Sequence, residues 1–171
     1  AVSEGSKATL WNRLRTHRGG KDGSGNHRGS IFRLHVGQAL LRKTERDAGL
    51  PTWGVGQSAA ADVRKAEENM ELEVSQIIGE MPVLWIGVAD RASPDSDRAY
   101  LERNLIALVA GSTGPFDLPT ASWLGNWSSR EAIPTSGLWN VNHVLDDYDP
   151  EALDVFERYI EIAEAAAPMP S

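Results

Sequence analysis

The apolar positions of this chain fall into a few periodic runs separated by glycine and proline. Leu10 and Leu14, four apart, predict a helix from an N-capping Ser6 to about His17, with Arg13 and His17 also four apart on a common face. Gly19–Gly29 is rich in glycine, aspartate and serine and reads as a loop. Ser30 then caps a second helix to about Ala48, closed by Gly49 and Pro51. Ile31, Phe32, Val36, Ala39 and Leu40 would line its inner side, leaving Arg28, Arg33 and His35 for solvent or a ligand. A turn-rich link with a short strand around Trp53–Val55 leads to a third helix, Ala59–Ile78, with Val63, Ala66, Met70, Val74 and Ile77 on one face.

The pattern changes at Met81–Ala89 (MPVLWIGVA), a continuous apolar run of the kind found in a strand buried on both faces. Pro94 opens a further helix through Gly111, burying Leu101, Leu105, Leu108 and Val109. Pro115–Pro119 is a loop, and Ser122–Trp127 leads into a short helix that Pro134 disrupts. Ser136–Val144 fits a strand or an extended loop, and an acidic helix over residues 150–166 turns Leu153, Phe156 and Ile160 inward. These elements predict a single α/β (α+β) domain over residues 1–171, a small sheet flanked by about five helices.

Composition narrows the functional classes. At 171 residues and 41% hydrophobic the chain can build one core, and the lack of cysteine excludes disulfides and thiolate metal sites. The longest apolar runs fall far short of the ~20 residues that span a bilayer, and no export signal opens the chain, so the expected setting is the cytoplasm, away from membranes. Charge is unevenly placed. Residues 1–50 hold ten Lys/Arg against four acids, a net +6, whereas the whole chain carries −7. Such asymmetry points to an anionic partner for the basic end, with a solvated face as the plain alternative.

The motifs exclude several chemistries. His17, His27, His35 and His143 lack the spacing of a zinc site, GGKDGSGN lacks the Gly-Lys-Ser/Thr of a phosphate loop, and no Gly-x-Ser-x-Gly elbow occurs. Glu102 lies mid-helix among apolar neighbours. It is either a rim residue paired with Arg98 or Arg103, or a lone carboxylate for one hard divalent cation held mostly through water.

The helix LWNRLRTH with Arg13 and His17, the segment GNHRGSIFRLHVGQALL, Glu102 in AYLERNLIALV after the apolar run, and SGLWNVNHV occur in an order that resembles a bacterial branch of the GIY-YIG nucleases, from about Ser6 to Val144. The resemblance implies a DNA endonuclease hydrolysing phosphodiester bonds with one divalent metal, Mg²⁺. It makes Arg13, His17 and Glu102 catalytic and Glu102 the metal ligand. His27, Arg28, Ser30, Arg33 and Asn140 become substrate contacts. The two strands that name the family would precede Ser6, so it also implies an N-terminally incomplete copy in which Tyr100, Tyr148 and Tyr159 match neither family tyrosine. A sheet so shortened would expose Val83, Trp85 and Val88, inviting a homodimer or a partner chain to complete it. Two alternatives stand beside this reading: a non-catalytic DNA- or partner-binding remnant of the fold, and an unrelated small-molecule enzyme built around Trp123, Trp127 and Trp139.

Overall fold

A computed structural model describes residues 9–91, 93–111 and 114–166. Among them every regular element is helical: α1 (Leu10–Arg18), α2 (Ile31–Lys43), α3 (Ala61–Gly79), α4 (Asp97–Ala110), α5 (Ala132–Ser136) and α6 (Glu151–Ala166), with 3-10 turns at His27–Gly29, Asp47–Gly49 and Leu124–Trp127. The expected α/β fold with a small sheet is therefore corrected: no strand occurs among the described residues. Met81–Ala89 runs as irregular chain, with Leu84 97% and Trp85 66% exposed. An extended segment becomes a strand only when a second one takes up its N–H and C=O groups. No described segment does so. Trp53 lies in a turn, and the stretch after Ser136 is bends and turns.

The chain forms two compact units. The larger contains α1, α2, α3, α5 and the 3-10 turns, drawn from Ala8–Pro82 and Leu118–Val141. Its core joins Val36 and Leu41 of α2 to Trp53 and to Met70, Val74 and Ile78 of α3. Gly37 makes this packing feasible: a Cβ there would lie 2.2 Å from the Trp53 indole, whose Nε1–H donates to the Leu34 carbonyl at 3.2 Å. With α3 on one side and the Leu124–Trp127 turn on another, α2 is enclosed almost all round. Arg33 and His35, expected outside, are thus buried, and Ile31, expected inside, is 70% exposed.

Helix ends are set locally. Ser6 lies outside the described residues; the observed N-cap of α1 is Thr9, whose side chain accepts from Asn12 N–H at 3.2 Å. α2 stops at Lys43, short of Ala48, because Thr44 caps it and Glu45 turns to φ 54°. Pro134 sits in the first turn of α5, where its missing N–H would have had no helical partner.

The smaller unit contains α4, from Val83–Asp117, and α6, from the chain starting at Asn142. α4 starts after Ser96, whose Oγ accepts from Ala99 N–H at 3.2 Å, and not at Pro94. α6 packs on α4. Tyr159 Oη–H donates to Asp97 at 2.7 Å, Tyr100 Oη–H donates to Asp149 at 2.7 Å, and Asn104 Oδ1 accepts from Asp149 N–H at 2.8 Å. Ala152, Val155, Phe156 and Tyr159 form the less exposed stripe of α6, while Leu153 and Ile160 face outward, a shift from the expected inner set. Among the described residues no helix is long and apolar enough to cross a membrane.

Candidate active site

α1 presents the positive charge. From Thr9 to Lys21 the chain carries Arg13, Arg15, Arg18 and Lys21 and no acid, and Arg13 and Arg15 are exposed. No residue of α1 is fully buried; Leu14 and His17 are its half-buried positions, and α1 packs on α3. At its C-terminus Arg18 donates to the Gly79 carbonyl at 3.2 Å, and Gly19 takes φ 83° to release the chain into the loop. A helix ending in Arg15 and Arg18 also places cations at the negative end of its dipole.

Beneath that helix lies a buried charge network that joins the glycine-rich loop, α2 and α3. Glu67, Glu71 and Ser75 follow one another at four-residue intervals on α3, so they share a face. Arg33 is 0% exposed. Its Nε donates to Glu71 Oε2 at 3.0 Å, Nη1 to the His17 carbonyl at 3.0 Å, and Nη2 to Glu71 Oε2, to the Glu71 carbonyl at 2.8 Å and to Ser75 Oγ at 3.0 Å. Gly25 lies over this guanidinium so closely that a Cβ would fall 1.9 Å from Nη2. Arg28 makes the second pair, its Nη1 and Nη2 donating to the two Glu67 oxygens at 2.6 and 2.9 Å and its remaining donors to the Thr52 and Val55 carbonyls. A cavity of about 110 Å³ opens beside it, lined by Gly25, Asn26, Arg28, Arg64, Glu67 and Glu71.

His27 completes the network. Its ring stacks on Trp53 with centroids 3.9 Å apart. Gly54 N–H donates to Nε2 at 3.1 Å, so the ring proton is on Nδ1, which donates to Glu71 Oε1 at 2.9 Å. The same oxygen accepts from His27 N–H at 2.6 Å. Burial pushes the Glu71 carboxyl up, but bonds from His27 and Arg33 outweigh it and hold the group below its ordinary value. Burial likewise raises Glu67, and Arg28 overcomes it.

His17 stands at the junction of α1 and this network. Its Nδ1 is 2.8 Å from Ser30 Oγ, and its ring meets Phe32 edge-on at 5.8 Å. Burial first, then the charges of Arg13 and Arg33, lower its pKa below the usual histidine value. A row of aromatics continues from Phe32 to Trp139 at 6.1 Å and on to Trp123 at 5.4 Å.

Of the expected site residues, Arg13, His17, His27, Arg28, Ser30, Arg33 and Asn140 belong to the larger unit and Glu102 to the smaller. Arg13 and His17 share α1, and Ser30 and Arg33 grip His17 from the start of α2. Asn140 is half-buried beside Trp139, its Oδ1 accepting from Val141 N–H at 2.8 Å. Glu102 is exposed on α4 between buried Leu101 and Asn104. Glu67 and Glu71 were not among the expected residues. The signal for them is two acids inside the apolar stripe of Met70, Val74 and Ile78, where a charge persists only if it is paired.

Among the described residues no group of three or more side chains gathers to cage a metal. The donor Glu102 offers is one hard carboxylate, which fits a divalent cation that keeps most of its water. No curated protein and no solved structure matches this chain. A family model described as the GIY-YIG domain matches residues 1–166, so the chain belongs to the GIY-YIG family, whose general function is that of a nuclease.

Proposed function

We propose that this chain is a cytoplasmic DNA endonuclease that hydrolyses phosphodiester bonds with one Mg²⁺ ion. The observation that carries the reading is the acid-free helix α1, which exposes Arg13 one turn from His17 in a chain of this family. Arg13 neutralises the scissile phosphate, and its exposure leaves the guanidinium reachable. His17 positions the phosphate, and Asn140 closes the site. Glu102 would hold the ion, whose chemistry in phosphodiester hydrolysis would be neutralisation of developing negative charge. His27, Arg28, Ser30 and Arg33 serve the substrate through the loop and the histidine they hold, since in this arrangement the donors of Arg28 and Arg33 are taken by Glu67, Glu71 and backbone carbonyls. Magnesium-dependent nicking of supercoiled plasmid tests this. Arg13→Ala and Glu102→Ala should each lower the rate by ~100-fold or more, the scale of losing a charge-stabilising group. Wild-type rates in both variants would sink the reading.

One observation favours the second reading, a DNA-binding chain that does not cleave. Tyr100 and Tyr159 donate their hydroxyls to Asp149 and Asp97, and the bond to Asp149 helps push Tyr100 up to about 12. Neither phenol is poised to take a proton from water near neutral pH. Salt-dependent DNA binding without magnesium-dependent nicking would decide for this form.

A further inference from the structure

The N-terminus of α2 holds His17 at two points. Ser30 is the N-cap: its Oγ accepts from Arg33 N–H at 3.1 Å, and the same Oγ sits 2.8 Å from His17 Nδ1. Arg33, three residues on, donates through Nη1 to the His17 carbonyl at 3.0 Å. Ser30 is 3% exposed, so its hydroxyl proton needs a partner within the protein. A hydroxyl has one proton and two lone pairs. With Arg33 N–H already directed at a lone pair, the arrangement that pairs every group has Ser30 O–H donating to Nδ1. Nδ1 is then an acceptor, and the ring proton lies on Nε2. The reverse arrangement, Nδ1–H donating to Oγ, strands the buried hydroxyl proton.

We propose that Ser30 is a positioning residue that fixes His17 as its Nε2–H tautomer, so that His17 meets an anionic ligand as a neutral hydrogen-bond donor and not as a proton acceptor. The identity of that ligand as the scissile phosphate rests on the nuclease reading; the tautomer does not. With Nδ1 occupied and Nε2 carrying the proton, the ring has no lone pair to take a proton from water. The charged groups facing it are consistent with a single ring proton. Arg13 lies on its own helix and Arg33 beneath it on α2, and on α3 the Glu71 carboxylate is occupied by His27 and Arg33. Phe32 against the ring limits its rotation. His27 has the opposite form, because a backbone N–H donates to its Nε2, so the molecule carries its own reference for the other tautomer.

The test is long-range ¹H–¹⁵N NMR of the full chain labelled at histidine, with His17 assigned through His17→Gln. At pH 7.5 the wild type should show His17 as Nε2–H and His27 as Nδ1–H. In Ser30→Ala the neutral ring loses the donor at Nδ1, so the His17 pKa should move up, and Ser30→Thr, which keeps the hydroxyl, should bring it back down. An Nδ1–H tautomer for wild-type His17 would overturn the proposal. So would a His17 pKa that stays or falls in a Ser30→Ala protein with wild-type helix content. If Ser30→Ala does not fold, the wild-type tautomer alone decides. Plasmid nicking is measured on the same sample: its absence would count against the nuclease reading and leave the tautomer result standing.

Discussion

At the scale of single residues, the Arg33–Glu71 pair matters most. A guanidinium taken fully out of water is tolerated only when its donors are met, and all three nitrogens of Arg33 have acceptors. Glu71→Gln should therefore cost ~3–5 kcal/mol in urea unfolding, the scale of breaking a buried pair by removing one partner. Gly25→Ala should also destabilise strongly, because its Cβ would fall on the guanidinium, whereas Gly49→Ala, with nothing within 4 Å, should stay within about 0.5 kcal/mol. Equal stability of Gly25→Ala and wild type would show that the loop does not close over Arg33. Only part of this arrangement is legible in the sequence. Arg13 and His17, four apart on a helix, follow from spacing alone. The burial of Arg28 and Arg33 does not, because a charge count assigns +6 to residues 1–50 without knowing that Glu67 and Glu71, both beyond residue 50, face two of those cations.

Elements show the same division between what a pattern states and what packing decides. The presence of α3 and α4 and the burial of Met70, Val74 and Leu101 follow from periodicity, whereas Ala66, expected on the inner face of α3, is exposed and α4 begins three residues after Pro94. The enclosure of α2 does not, since Arg33 and His35 interrupt its apolar positions and only Gly37 hints that a large ring crosses it. Two predictions belong here. The first concerns α1. Arg15→Ala should lower the slope of log binding constant against log salt for duplex DNA by about one, the change expected when one cation no longer neutralises a phosphate. Arg46→Ala should not, because Glu73 at 2.7 Å already neutralises Arg46. Equal slopes for both variants would make α1 a merely solvated face.

The second concerns pH. His17 and His35 are both held below the ordinary histidine value, in each case first by burial, and His35 Nδ1 has no hydrogen-bond partner. Below about 6.5 the unfolded chain therefore binds protons that the folded one refuses, and stability falls with pH until the folded values are reached. Glu67 and Glu71 are also held low, so a second loss begins as pH drops below about 4.5, where the unfolded carboxylates protonate first. Denaturation midpoints should be flat between about pH 7 and 9, decline from about 6.5 and decline again in the acid range. A midpoint that rises between pH 7 and 5 would contradict the burial of both histidines.

For the whole molecule, the exposed apolar run at Val83, Leu84 and Trp85 sets the expectation. Such a run on otherwise charged surface favours association. Light scattering at rising concentration should give masses above the 18.6 kDa of one chain, and Trp85→Ser should lower them. A wild type that stays at one chain mass would place the run in solvent without a partner. The strand reading failed here for a reason of scale: an apolar run states that its side chains avoid water, whereas a strand also needs a neighbour for its backbone, which no residue of the run can specify.

The same segment governs how the chain behaves once it is broken. Among the described residues this backbone pairs with no second segment, and chain of that kind can lie extended in a protease cleft, so the first cut of a limited digest should fall between Val83 and Trp85. That cut assigns α2 to one fragment and the Leu124–Trp127 turn to the other, yet these pack together, with Leu124 and Trp139 against the core of the larger unit. The nicked protein should therefore run as two bands under denaturing conditions and as one species under native ones, its halves held by non-covalent contacts such as Lys43 over the Trp127 ring.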